Sequence, residues 1–320
     1  GTASTSRFLA GGSVGVGIGV TTTAGRDAAA GVGTVTGQMV FNETTKFAQV
    51  YNGTSWDNMS NKFEASGGTK IVDGANTFHV FTSPGTFTAS GTNASFDILL
   101  VAGGGGGGGN NSGGAGAGGL VYIPSPVNFP ITGGNSVVIG SGGAGDNTAD
   151  ASGNKGNDST AFSLTAKGGG GSSSWTQAPN PSLQDGGSSA GGNGTPNGLP
   201  AAYRNAGSET QPTQPGNSGT YGHANTGGAG GRTSGDTGGG GGGGAGGAGA
   251  NVQSPGSEAG VSGGAGGNGY PMPVFPAPVL APAIPSPVRP AWTPAVGPTG
   301  LFAGGGGGGA GGATQNPLAA

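Results

Sequence analysis

The chain has 320 residues, including 82 glycines and 22 prolines, with only 7% charged residues and no cysteine. Without cysteine it has no disulfide framework or thiolate metal site, so packing or assembly must stabilise the fold. A net charge of -3 with ten scattered basic residues provides no basic stripe for nucleic acid, and no apolar segment is long enough to insert into a membrane.

The chain begins with two strand-rich segments. Residues 1–36 are an extended segment rich in Gly, Ala, Val and Thr, and from Ser13 to Val20 apolar residues alternate with glycine or serine, which predicts thin strands. Residues 37–66 are predicted to be a β-hairpin module, because Asn52-Gly53 between strand-like runs is a strong hairpin signal. Its aromatic anchors are Phe41, Tyr51 and Trp56.

Residues 67–102 are predicted to be a small β unit, with a turn at Pro84-Gly85. Its last strand runs directly into the seven glycines from Gly103 to Gly109. The predicted strands of this unit cover residues 70–72, 77–81, 85–88 and 96–101, and further strands are predicted at 120–123, 135–139 and 161–167.

Residues 103–320 form a glycine-rich domain with a repeat of three. The non-glycine residues of its runs fall in columns: Ser141, Ala144 and Asn147; Thr226, Ala229 and Arg232; Ala245, Ala248 and Asn251; Ser262, Ala265 and Asn268; Ala310 and Ala313. Three residues per turn is the repeat of the polyproline-II type helix. The pattern predicts polyglycine-II helices that pack side by side through backbone hydrogen bonds. The alternative is that the glycine tracts are flexible linkers.

Two long segments interrupt the glycine pattern. Residues 172–224 are polar and turn-rich and are predicted to be long loops. Residues 270–298 contain ten prolines between apolar residues, which predicts an extended polyproline-II excursion that exposes apolar groups. The fold class predicted from the whole chain is mainly β and irregular, with almost no α-helix.

The residues offer little catalytic chemistry. Of the two histidines, His79 lies in an alternating strand and His223 has no carboxylate near it in sequence. Asp146, Asp150 and Asp158 are spaced too loosely for a calcium loop. We therefore expect no enzyme, no cofactor and no metal site. The contact candidates are large aromatic residues in segments with little core around them: Trp175, Tyr203, Tyr221, Phe275 and Trp292. The alternative is that each of them caps the stack.

Several motifs resemble those of a known group of proteins. Residues 78–88 (FHVFTSPGTFT), residues 97–102 (DILLVA) before polyglycine, and residues 118–122 (GGLVY) resemble the glycine-rich domain of bacteriophage tail fibres and virion appendages. Residues 50–56 (VYNGTSW) are similar to the hairpin modules that precede such domains. The later runs resemble the polyglycine-II tip adhesins of phage long tail fibres, whereas the proline-rich segment departs from that pattern.

The resemblance implies an extracellular virion fibre or adhesin, a homotrimer or a protein mounted on other virion proteins. It also implies attachment to a host-surface polysaccharide or outer-membrane protein through loops between the runs. The alternative is a purely structural virion or cell-surface filament without receptor binding. A surface-binding protein of the ice-binding type is disfavoured by the long irregular loops.

Overall fold

The computed structural model describes residues 18–28, 34–59, 63–90, 96–124, 133–148, 150–174, 178, 180–195, 200–212, 222–232, 236–252 and 261–311. The chain divides into two compact units, Gly1–Phe63 with Gly91–Asn93, and Glu64–Ser90 with Ala94–Ala320. The fold is mainly β and irregular, which confirms the predicted class.

The first unit is a four-stranded sheet with the order β1-β2-β3-β4. Its elements are β1 (Gly19–Thr21), α1 (Thr23–Ala28), β2 (Met39–Asn42), β3 (Phe47–Tyr51) and β4 (Trp56–Asn58). β1 is parallel to β2, and the other pairs are antiparallel. The predicted hairpin is confirmed, with Tyr51 opposite Trp56 and their rings 5.4 Å apart. Residues 1–36 were predicted to be extended, but residues 23–28 form the helix α1 instead. Of the predicted strand from Ser13 to Val20, residues 13–17 lie outside the described residues.

The interior of the first unit is polar. Asn42 is fully buried, and its amide Nδ2 donates to Gln49 Oε1 at 2.9 Å and to Thr23 Oγ1 at 2.9 Å. Gln49 in turn donates to Asn58 Oδ1 at 2.6 Å and accepts from the Arg26 guanidinium at 2.7 Å. Buried amides need such partners because an unpaired polar group in the interior costs about 1–3 kcal/mol.

The second unit contains the remaining strands in small sheets, of which the largest has the order β13-β12-β11-β8-β5. β9 and β10 are antiparallel, with β14 on the other edge of β10, and β6 pairs with β7. The strands are β5 (Glu64–Ser66), β6 (Thr69–Asp73), β7 (Asn76–Val80), β8 (Gly85–Ser90), β9 (Ile98–Val101), β10 (Leu120–Ile123), β11 (Gly133–Val138), β12 (Ser159–Ala161), β13 (Leu164–Ala166), β14 (Gly222–His223), β15 (Gly231–Arg232), β16 (Thr237–Gly238), β17 (Tyr270–Pro271), β18 (Leu301–Phe302) and β19 (Ala310–Gly311).

One predicted strand is instead a hairpin. Residues 161–167 were predicted to be a single strand, but the chain reverses between β12 and β13 at Phe162 and Ser163. Both residues have positive φ, 52° and 62°. The prediction was wrong because this pair of left-handed residues is usually Asn-Gly, and Phe-Ser gives no such signal.

The glycine stack is the set of runs that join these strands. It comprises residues 102–109, 112–119, 139–147, 151–158, 167–174, 186–195, 203–210, 225–230, 239–246, 247–252, 263–269 and 303–309. Neighbouring runs exchange backbone hydrogen bonds at every third residue. Gly103, Gly106 and Gly109 donate to Asn157, Asn154 and Ala151, at 3.1, 2.8 and 3.0 Å. The bonding therefore repeats every three residues, while the helical geometry of the runs stays a prediction.

The 239–246 run lies at the centre of the stack. Its amides from Gly239 to Gly244 all donate, to the 303–309, 186–195 and 247–252 runs in turn. Its carbonyls accept from the 112–119, 225–230 and 263–269 runs. A run of almost bare backbone is thus enclosed by other backbone, which satisfies the main-chain polar groups that burial removes from water.

Part of the segment predicted as loops is buried. Residues 186–195 form a run in which every residue is buried, although the sequence analysis places them among the loops of residues 172–224. Serine hydroxyls complete its hydrogen bonding: Gly227 N donates to Ser189 Oγ at 2.9 Å, and Asn225 N to Ser188 Oγ at 3.3 Å. Serine therefore substitutes for glycine in the stack, and the sequence analysis missed this. The segment also contains helix α2 (Pro181–Gln184) and the 3-10 helix η1 (Ala201–Arg204).

The proline-rich segment is helical and not extended, so this prediction was wrong. It contains α3 (Ala277–Leu280), the 3-10 helix η2 (Ala281–Ala283) and α4 (Arg289–Val296). Each begins with a proline in its first turn, where no intrahelical N–H is required. The Arg289 guanidinium also holds the segment together by donating to Ile284 O at 2.7 Å.

The apolar core lies where the runs meet the strands. Leu120, Ala245 and Met272 are buried at its centre. The residues packed around them are Leu99, Val101, Tyr122, Tyr270, Phe275, Phe302 and Ala303. A second cluster joins Phe87 to Phe96, Phe162 and His79. Because the glycine runs carry no large side chains, burial of apolar surface is concentrated in the strands and the segments beside them.

Candidate functional site

The stack has two chemically different ends. Consecutive runs alternate in direction, except that the 167–174 and 186–195 runs point the same way. At the strand end, the runs begin or end at β9, β10, β11, β12, β13, β17 and β18. At the turn end, the chain reverses between neighbouring runs, for example at residues 109–112 and 147–151. The proline-rich segment connects β17 to β18 and so belongs to the strand end.

Polar side chains are exposed at the turn end. Asp146 accepts from Thr148 N at 2.9 Å and from Thr148 Oγ1 at 2.7 Å, and these bonds lower the pKa of its carboxyl group. The other exposed polar residues at this end include Asn110, Asp150, Arg232 and Asn251. This end therefore offers hydrogen-bond donors, acceptors and both charges to a polar ligand.

The turn at residues 109–112 is held in place by hydrogen bonds with the runs next to it. Buried Asn193 accepts from Gly113 N at 3.3 Å and donates to Ser174 O at 2.8 Å. Asn111 donates to Thr237 Oγ1 at 2.6 Å, and Ser112 donates to Gly108 O at 2.9 Å. Side-chain amides thus tie the turn to the runs beneath it, which makes the turn a rigid feature of the surface.

The sequence analysis did not select these turn residues. Its candidates were aromatic, whereas the polar residues at the turn end are short. A signal was present nonetheless, since Asn-Asn-Ser between two glycine runs and Asp-x-Thr at residues 146–148 are typical of side-chain-stabilised turns.

The aromatic candidates lie in different places. Phe275 is half-buried in the core, with ring centroids 6.2 Å from Phe78 and 6.3 Å from Tyr122. Trp292 is half-buried in α4, 6.3 Å from Phe302 at the strand end. Tyr203 is half-buried in η1, where its carbonyl accepts from Asn193 N at 3.3 Å. Trp175 and Tyr221 lie outside the described residues.

One histidine, His223, packs against an aromatic and an apolar residue at the strand end. His223 stacks on Tyr270 with ring centroids 3.8 Å apart and lies opposite Leu120 in the sheet. Burial lowers the pKa of its imidazole, because the charged form loses solvation. The ring thus serves as a packing element in its neutral form.

Within the described ranges, no group of three or more His, Asp or Glu side chains is arranged to hold a metal ion. The same part of the chain contains no helix with the length and apolar character that crossing a membrane requires.

Comparisons of the chain with models of protein families, with curated proteins and with solved structures found no match. The resemblance to phage fibre proteins therefore rests on the motifs quoted from the sequence.

Proposed function

We propose that this chain is a non-enzymatic virion fibre or fibre-tip protein that attaches to a host surface through the turn end of the glycine stack. In this proposal the runs are polyglycine-II helices, and the three-residue repeat of their hydrogen bonds supports that geometry. The observation that carries the proposal is the separation of the ends. The apolar core and most strands lie at one end, whereas polar turns are exposed at the other end, beside the small β15-β16-β19 sheet.

The polar turns suit a carbohydrate better than an apolar partner. A polysaccharide offers many hydroxyl groups, and Asn, Asp, Thr and Arg side chains on a fixed frame bind such groups without having to be ordered first. The extracellular location and a homotrimer or other virion proteins as partners belong to the same proposal, and they rest on the motif resemblance.

The test is the binding of labelled full-length protein to a panel of bacterial cells and of purified surface polysaccharides. We expect Asp146→Ala with Arg232→Ala at the turn end, and separately Trp175→Ala, a contact candidate from the sequence, to abolish binding. The matched control is the double variant Asp73→Ala with Lys70→Ala, which removes one exposed acid and one exposed base at the strand end. We expect this control to bind as the parent does.

Two results would contradict the proposal. Binding that survives the turn-end substitutions but is lost with Trp292→Ala would place the contact at the strand end. A folded protein that binds no cell and no polysaccharide of the panel would favour the structural filament or decoration protein without receptor binding.

A further inference from the structure

The turn between β3 and β4 in the first unit contains an Asn-Gly pair with a free main-chain amide. Asn52 and Gly53 are both exposed. Among the described residues, Gly53 N has no hydrogen-bond acceptor. In an Asn-Gly pair the glycine nitrogen can attack the side-chain carbonyl carbon of asparagine and close a cyclic imide, because glycine has no Cβ to restrict the backbone conformations that this attack needs.

Two main-chain donors polarise the carbonyl group of the Asn52 side chain. Thr54 N and Ser55 N each donate to Asn52 Oδ1 at 2.8 Å. Negative charge develops on this oxygen when a nucleophile adds to Cγ. Donors that already point at such an oxygen stabilise the developing charge, as they do in the oxyanion hole of an enzyme. The turn therefore favours the addition step.

A carboxylate lies beside the nitrogen that leaves in this reaction. Asn52 Nδ2 donates to Asp57 Oδ2 at 2.9 Å and to Ser55 Oγ at 3.1 Å. The nitrogen must take up a proton before it departs as ammonia, and it is positively charged at that stage. A carboxylate at hydrogen-bond distance stabilises this positive charge by Coulomb attraction. The turn thus places favourable groups at both the oxygen and the nitrogen of the reacting amide.

The other Asn-Gly pairs that the structure describes lack this arrangement. Asn193 is fully buried, and Gly194 N donates to a main-chain carbonyl at 2.8 Å, so its nitrogen is already engaged. Asn268 is exposed, and Gly269 N has no acceptor in the described ranges. No main-chain amide of those ranges donates to the Asn268 side chain, however. A further pair at residues 197–198 lies outside the described residues.

We infer that Asn52 is a site of spontaneous deamidation that the fold promotes. Gly53 N forms a bond to Asn52 Cγ, the bond between Cγ and Nδ2 breaks, and the proton lost from Gly53 N balances the one that ammonia carries away. Water then opens the cyclic imide at either carbonyl and leaves aspartate or isoaspartate at position 52. Water is the only co-reactant. The product has a negative charge where Nδ2 faced Asp57.

The test follows the three described sites in the folded full-length protein, incubated at mildly alkaline pH and analysed by peptide mapping with mass spectrometry. We expect Asn52 to react at least about tenfold faster than Asn268, which is less than the effect of one oxyanion donor in an enzyme. Asn193 should not react measurably while the chain stays folded. In concentrated urea the sites should react at similar rates, since glycine follows each of them.

The variant Asp57→Asn should slow the reaction at Asn52 by about threefold, the effect of one exposed charge pair. The matched control Asp73→Asn removes an exposed acid from β6 and should leave the rate at Asn52 unchanged. Equal rates at Asn52 and Asn268 in the folded parent overturn the inference, and this comparison needs no variant to fold. An Asp57→Asn protein that reacts at Asn52 as fast as the parent does also overturns it.

Discussion

At the scale of the residue, glycine in the centre of the stack is required by sterics. A Cβ at Gly242 would overlap the carbonyl oxygen of Ala115, far inside contact distance, and Gly240 and Gly241 would meet carbonyls in the same way. The obstructing atoms are backbone and have no rotamer to change. The absence of a side chain is thus the feature that lets the carbonyls of one run reach the amides of the next.

Gly242→Ala should therefore destabilise the second unit by about 1–3 kcal/mol or more, the cost of overpacking a closed interior. The control is Gly247→Ala, where the nearest atom to the new methyl group would be 3.6 Å away. That variant should be unchanged or more stable by about 0.4–1 kcal/mol, because alanine has fewer unfolded conformations than glycine. Denaturant unfolding followed by circular dichroism measures both. Equal stability of the two variants would show that the central runs are not tightly packed.

At the scale of the element, the β12–β13 hairpin shows a local conflict between sequence and fold. Phe162 and Ser163 both occupy the left-handed region, which disfavours side chains. Phe162 nevertheless packs against Phe87 with ring centroids 5.6 Å apart. The aromatic contact and the pairing of β12 with β11 hold the turn in a conformation that its own residues do not favour.

Ser163→Gly should raise the free energy of unfolding by about 1 kcal/mol, since it removes the left-handed penalty at an exposed position. Thr160→Gly in the neighbouring strand β12 is the control. It should lower stability by about 0.5–1 kcal/mol, because glycine weakens a strand. Thermal melts of the two variants beside the parent give the comparison. A loss of stability with Ser163→Gly would mean that the serine makes a contribution that offsets its backbone strain.

At the scale of the whole molecule, stability is unevenly distributed through the stack. The amides from Gly239 to Gly244 are buried and all donate to other runs. Exposed Gly304 and Gly307, on the outer 303–309 run, have amides without an acceptor in the described part of the chain. Local opening free energies follow burial and hydrogen bonding, so the centre of the stack should open only with the unit as a whole.

Hydrogen exchange measured by NMR should show slow exchange for residues 239–244, at the rate of global unfolding, and rapid exchange at Gly304 and Gly307. The amides of Leu120 and Val121 in β10 serve as an internal reference, because both residues are fully buried and lie in a paired strand. Exchange of residues 239–244 as rapid as that of Gly304 would contradict a central position for this run.

Much of the fold was predictable because its signals are local. Asn52-Gly53 marks a hairpin, and the strand before Gly103 is a short apolar run. Of the residues in the columns of three, Ala144, Ala229 and Ala265 are exposed, whereas Ala245 is buried in the core, so the repeat alone does not say which side chains face outward. The proline-rich helices and the Phe162-Ser163 turn were missed because long-range packing outweighs local preference there.

The candidate site was less predictable than the fold. Large aromatic residues suggest a contact surface when the structure is unknown, but Phe275 lies within the core and Trp292 packs at the strand end. The turn-end residues Asp146 and Asn193 gain their positions from runs distant in sequence. Asn193 supports the turn at Gly113 across a separation of 80 residues.

The sequence by itself determined that backbone must pack against backbone, because a chain with 82 glycines has few side chains to bury. It also determined the repeat of three, which is a property of each run alone. Only the tertiary structure decided which runs are neighbours and in which direction each of them runs. Every glycine run presents nearly the same surface, so the order of packing depends on the strands and on the few serine, asparagine and aromatic side chains that distinguish one run from another.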